Sequence, residues 1–168
     1  MIAAMSLQTP RLRLVLKTLD EMRAAIEAMD ASEKAQLSAD WLARFHASTA
    51  PDPWVHGFSL VHLESGETVG QCGFKGPPDA EGMVEIAYGV NSDQAGKGYA
   101  TEAARALVAY AFSFDQIILV RAHTLPQSNA STRILAKCGF QYIGEITDPE
   151  DGLIWRFETS RPTTLTRI

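Results

Sequence analysis

Between Met83 and Phe114 the spacing of apolar residues changes from the strand period to the helix period, and the change happens across a glycine-rich loop. Before the loop, Val84, Ile86, Tyr88 and Val90 alternate with Met83, Glu85, Ala87 and Gly89, which is the pattern of a strand. After it, Ala100, Ala103, Ala104, Leu107, Val108 and Ala111 recur at helical intervals and predict a helix from about Tyr99 to Phe114. A loop between two such elements suits a phosphate. Glycine lets the backbone come close to an anion, successive amides point at its oxygens, and the helix start carries about half a positive charge. Lys97 adds a local cation. An ordinary turn, in which Gly96 and Gly98 only supply unusual backbone angles, is the competing reading of the loop taken alone.

Two well-known phosphate loops do not fit. A Walker loop has four residues between its glycines and a Ser or Thr after its Lys, whereas Gly98 follows Lys97 here. A dinucleotide fingerprint wants Gly or Ala where Thr101 stands.

The rest of the chain supplies the partners of this unit. Arg11 to Leu16 alternates as a first strand, and two helices follow, one from Thr18 through Met29 and one over Glu33 to Phe45. Trp54 to Leu63 and Thr68 to Phe74 form a hairpin around Glu64-Ser65-Gly66-Glu67, and Lys75 to Gly82 is a loop. Ile117 to Leu125 is an apolar strand, and Ala130 to Lys137 is a short helix ended by Gly139. Phe140 to Ile146 and Leu153 to Phe157 close the order as two strands.

No repeat or linker divides the chain, and 46% hydrophobic with 21% charged residues over 168 positions fits one globular domain, 1–168. The net charge of −5 argues against a nucleic-acid partner and favours a cationic substrate. Cys72 and Cys138 are too few for a disulfide framework and lack CxxC spacing, so two free thiols are expected. His46, His56, His62 and His123 show no ligand spacing, and no metal is expected. Met1 to Pro10 lacks the marks of a secretory leader and no membrane-spanning stretch is present, so a cytoplasmic protein is expected. Either a monomer or a homodimer is compatible with the sequence.

Gln94-Ala95-Gly96-Lys97-Gly98 resembles the cofactor motif of the Gcn5-related N-acetyltransferase (GNAT) superfamily: Gln or Arg, two residues, Gly, one residue, Gly or Ala. The longer string to Ala103, with Leu125-Pro126, Asn129-Ala130-Ser131 and Lys137-Cys138-Gly139-Phe140, is similar to the branch that includes the ribosomal-protein N-terminal acetyltransferases. The resemblance implies a single α/β (α+β) domain with a mixed, mostly antiparallel sheet of six to seven strands and about four helices. It implies acetyl-coenzyme A as acetyl donor, with the pyrophosphate on the backbone amides of Gln94, Ala95, Gly96, Lys97, Gly98, Tyr99, Ala100 and Thr101. The pantetheine arm would lie between the Met83 to Val90 and Ile117 to Leu125 strands, with an amide near Val90 on the thioester oxygen. The position matching the family's cofactor-contacting Asn is Ser128, and Asn129, one place later, is taken as the contact, with a helix cap as its other role.

Transfer to an amine needs a base for the ammonium proton and an acid for the departing thiolate. Glu85 shares a strand face with Ala87 and Gly89, and the resemblance places a general base on this strand, often acting through water. Ser131 matches the acid of the similar branch and is equally a cap; Tyr142 and Tyr88 are substitutes. His62, Glu64, Trp41 and Trp54 are candidates for the acceptor pocket, with the core as the other reading of the tryptophans. The acceptor is an amine, either a small molecule or a protein N-terminus. A coenzyme A-binding regulatory module that has lost catalysis is the alternative.

Overall fold

The structure is a computed structural model that describes residues 5–162. Residues 1–4, the first part of the stretch read for a leader, lie outside the described residues. The chain runs β1 (Ser6–Gln8), β2 (Leu12–Leu16), α1 (Leu19–Glu27), α2 (Ala31–Ala35), α3 (Ala39–Ala47), β3 (Phe58–His62), β4 (Thr68–Phe74) and β5 (Met83–Val90). It continues with α4 (Tyr99–Phe112), β6 (Leu119–Thr124), α5 (Ala130–Lys137), β7 (Gln141–Asp148) and β8 (Gly152–Ser160). Eight strands form one mixed sheet in the order β1-β2-β3-β4-β5-β6-β8-β7. Every neighbouring pair is antiparallel except β5 and β6.

The described residues hold eight strands and five helices, against the expected six to seven and about four. The extra strand is β1, whose three residues are too few to show a period. The extra helix comes from the stretch read as one helix over Glu33 to Phe45. Ser38 takes the Trp41 amide on its hydroxyl at 3.0 Å and caps a new helix there, while Asp30 and Glu33 close a capping box on the helix before it. The strand expected from Trp54 begins only at Phe58, because Asp52 binds the amides of Trp54, Val55 and His56 and bends the chain.

Alanines let α4 lie close on the sheet. Ala103, Ala104, Leu107 and Ala111 are fully buried with Leu12, Leu14, Phe58, Leu60 and Val120 in the main core. Burying one Leu107-sized side chain contributes about 1.5–3 kcal/mol, so this contact fixes where the start of α4 sits. A second cluster of Met22, Phe45 and Val55 ties α1 and α3 to the bend before β3. No helix among the described residues is long and apolar enough to cross a membrane.

Candidate active site

The site begins where the sheet comes apart. β5 pairs with β6 only from Met83 to Glu85, opposite Leu119 to Arg121, while on its other edge it stays paired with β4 as far as Val90 opposite Gly70. The Lys75 amide donates to the Glu85 carbonyl at 2.9 Å and the Asn91 amide to the Val69 carbonyl at 2.8 Å. The odd positions of β5 therefore spend their backbone groups on β4. Antiparallel alternation turns the backbone of Ile86, Tyr88 and Val90 toward the β6 side, where pairing has ended.

That open edge borders a cleft of about 390 Å³, lined by Val90, Gln94, Ala95, Gly96, Gly98, Tyr99, Ala100 and Thr101, with Ser131 facing them from α5. Gly98 caps α4 in the left-handed region at φ 85° with no side-chain cap, and Gly96 has φ 79°. Helical pairing starts with the Glu102 amide on the Gly98 carbonyl, so the amides of Tyr99, Ala100 and Thr101 have no partner within the helix. The start of α4 is pinned from outside. Glu102 accepts from the Thr9 hydroxyl at 2.8 Å and the Arg11 amide at 3.0 Å, and the Arg11 guanidinium pairs with it while lying 4.8 Å from the Tyr99 ring centre. Burial alone would raise the Glu102 pKa, but these hydrogen bonds and the Arg11 charge hold it below the usual value.

Lys97 and Asn129 are not brought into this cleft. The Lys97 ammonium donates to Gln94 Oε1 at 2.9 Å and borders a neighbouring hollow with His62 and Glu64. Asn129 caps α5, its Oδ1 taking the Thr132 amide at 3.1 Å. Two cations that sequence reasoning missed, Arg133 and Lys137, do line the cleft. Their i, i+4 spacing on a predicted helix was the available signal.

A second cleft, of about 330 Å³, meets the first at Tyr88 and Gly89, which line both. Lys17, Met22, Trp41, Phe74 and Ala87 form part of its wall. Of the residues expected around the acceptor, Trp41 is here. Trp54 instead packs against Phe74, Tyr110 and Phe114, and His62 and Glu64 lie in the hollow beside Lys97. Tyr88 lines the junction; burial pushes its hydroxyl up to about 12, the neighbouring Cys138 adds to this, and the nearby Ser131 hydroxyl only partly opposes it. Tyr142 is exposed and packs against Trp155 and Phe157.

Glu85 opens onto an adjoining hollow that shares Trp41 and Phe74 with the second cleft and also holds His123, Lys75, Asp148 and Asp151. Its carboxylate lies 3.1 Å from His123 Nδ1 and 3.0 Å from Lys75 Nζ. His123 carried no signal in the sequence, because only the parallel register of β5 and β6 sets it beside Glu85.

The family model for the acetyltransferase (GNAT) domain matches residues 11–141. The uncharacterised N-acetyltransferase p20 of Bacillus licheniformis is 32% identical over 93 residues, covering 55% of this chain and 52% of that protein. The chain spans about half the length of the curated relatives it matches. A Vibrio cholerae protein assigned as a ribosomal-protein-serine acetyltransferase superposes with a TM-score of 0.69 at 18% identity, over 96% of this chain and 100% of that one. The aminoglycoside acetyltransferase AAC(6')-Ib, in complex with coenzyme A and kanamycin, superposes at 0.61 with 22% identity, over 88% and 94% of the two chains. At these identities the two superpositions speak for the fold, and the match of the family model over most of the sequence fixes the family: this chain belongs to the GNAT acetyltransferases.

Proposed function

We propose that this protein is a cytoplasmic, single-domain N-acetyltransferase that passes an acetyl group from acetyl-coenzyme A to a primary amine by direct attack in a ternary complex. The observation that carries this is the meeting of two clefts at Tyr88 and Gly89, beside the unpaired edge of β5. The first cleft fits the cofactor: unpartnered amides at the start of α4, two glycines at positive φ, and the cations Arg133 and Lys137 suit a pyrophosphate and a further phosphate. The cofactor supplies an activated acetyl thioester. A related fold that holds coenzyme A and kanamycin together supports both a coenzyme A donor and an amine acceptor.

The chain's own residues would then act as follows. The Val90 amide, on the open edge, donates to the acetyl carbonyl oxygen and stabilises the negative charge that grows there. Glu85 takes the ammonium proton of the acceptor through water, since its hollow adjoins the acceptor cleft rather than opening into it. Ser131 or Tyr88 returns a proton to the sulfur. The nitrogen–carbon bond forms as the carbon–sulfur bond breaks, the nitrogen gives up its second proton to restore the donor hydroxyl, and the products are an amide and coenzyme A with its thiol protonated. No step needs Cys138, whose thiol points to the Thr101 carbonyl at 3.7 Å.

Calorimetric titration with acetyl-coenzyme A, comparing wild type with a double Gly96→Asp, Gly98→Asp variant, tests the donor site. Binding lost in the folded variant supports the reading, and turnover of an amine panel in a free-thiol assay then establishes catalysis. Cofactor binding without turnover of any amine would favour a silent regulatory module.

A further inference from the structure

The second cleft contains one cation. Among the described residues lining it, Lys17 alone is charged, and Met22, Trp41, Phe74 and Ala87 make the nearby wall apolar. Lys17 follows β2, where its amide donates to the Gly57 carbonyl at 3.0 Å, and its Nζ donates to Gln71 Oε1 at 2.6 Å. Gln71 stands opposite Gly89 in the β4–β5 register, so the ammonium is held at the end of the cleft that meets the donor side. The Gln71 oxygen is neutral, an ammonium has three donors, and among the described residues no carboxylate lies within ion-pair distance of this one. Burial lowers the Lys17 pKa, and Glu21 and Cys72 oppose that only in part. A half-buried cation with spare donors gains most from an anion that the ligand brings.

We infer that the acceptor is an α-amino acid with a free carboxylate and an apolar side chain, its carboxylate on Lys17, its amine at Tyr88 and Gly89, and its side chain against Met22, Trp41 and Phe74. Gln71 carries the ammonium on the strand position opposite Gly89, so a ligand whose amine lies at the junction and whose carboxylate is close to that amine, as in an α-amino acid, suits the pair. The Trp41 ring is already fixed for such a contact, because its Nε1 donates to the Val55 carbonyl at 2.8 Å. The net charge of −5 suggested a cationic acceptor, but a polycation reaching this junction meets Lys17 as a like charge. This assignment rests on the transferase reading and narrows it. The acetyl carbon leaves sulfur for the amino nitrogen, and of the two protons that the ammonium loses, one leaves to solvent through Glu85 and the other balances the proton taken up by the thiol.

Two matched pairs differ only by the carboxylate: L-phenylalanine with phenethylamine, and L-leucine with isoamylamine. Each is titrated calorimetrically into wild type, Lys17→Met and Lys17→Arg, and turnover with acetyl-coenzyme A is then measured on the same samples. A charge-assisted pair predicts that wild type prefers the amino acid on the order of 10- to 100-fold, in affinity and in kcat/KM. Lys17→Met should bring that ratio close to one, and Lys17→Arg should keep most of it. The assignment is overturned if wild type binds neither amino acid, if it favours the decarboxylated partners, or if a folded Lys17→Met retains the preference. Lys17-dependent amino-acid binding with no turnover would sink the transferase reading and leave the carboxylate site standing. Turnover of amines with no carboxylate preference would do the reverse.

Discussion

His123 on β6 donates its Nδ1 proton to Glu85 on β5 across 3.1 Å. The direction of that bond is set from behind, because Arg156 Nε donates to the other ring nitrogen at 3.1 Å and leaves the ring proton on the Glu85 side. Burial would raise the Glu85 pKa, but the His123 hydrogen bond and the Lys75 charge outweigh it and hold the carboxyl below 4.5. Glu85 is thus an ionised proton acceptor throughout the neutral range.

Glu85→Gln should lower kcat by about 100-fold, the usual scale for losing a general base, while calorimetry finds acetyl-coenzyme A affinity unchanged. The sign of the pKa shift adds a second expectation. A carboxylate with a depressed pKa stays ionised as pH falls until its folded value is passed, so the loss of kcat/KM between pH 9 and 6 belongs to protonation of the acceptor amine. A profile of wild type with a limb near neutrality that vanishes in Glu85→Gln would count against this picture.

Tyr88 separates the two proton-donor candidates. With its hydroxyl pushed up to about 12 by burial, it remains protonated at every practical assay pH and can supply no basic limb to kcat. Tyr88→Phe and Ser131→Ala should each lower kcat by about 10- to 100-fold if their hydroxyls act as one relay, and the double variant should lose little more than either alone. Additive losses would mean two independent roles.

The strand, glycine loop and helix were legible because a change of period is a local property of Met83 to Phe114. The break at Ser38 went unread, although a Ser three residues before Trp41 can cap a helix, because Leu37, Trp41, Leu42 and Phe45 keep helical spacing across it. Lys17 was not legible. Its setting depends on the sheet order β2-β3-β4-β5, across which Lys17 reaches Gln71 and Gln71 faces Gly89, so residues 17, 71 and 89 come together from three separate stretches. His123 was hidden for the same reason, while Arg133 and Lys137 carried a spacing that went unused.

Two glycines on neighbouring strands separate fold from acceptor binding. A Cβ on Gly70 would fall on the Gly89 carbonyl oxygen and lie 2.9 Å from Val90 Cα. Gly70→Ala should therefore push β4 from β5, cost about 1–3 kcal/mol of stability, and weaken cofactor binding by moving the Val90 edge. A Cβ on Gly89 meets nothing within 4 Å, yet Gly89 lines the acceptor cleft. Gly89→Ala should leave the melting temperature almost unmoved and raise the acceptor KM. Melting curves and steady-state kinetics on the two variants read the difference.

His56 makes the acceptor side sensitive to acid. It is fully buried beneath α3, its Nδ1 accepts the Asp52 amide at 2.6 Å, and its Nε2 has no hydrogen-bond partner. Burial lowers its pKa below 6.5, with Asp52 opposing. A depressed folded pKa means that the unfolded chain takes the proton first, so stability is full above about pH 6.5 and declines as pH falls below it, until the folded value is passed. Protonation also ends the acceptance from Asp52, which holds the bend before β3 and through it the second cluster of Met22, Phe45 and Val55. His56→Asn keeps an acceptor near the Nδ1 position and removes the titration. Wild type should lose more thermal stability than His56→Asn between pH 7.5 and 5, and equal losses would assign the acid sensitivity to other groups.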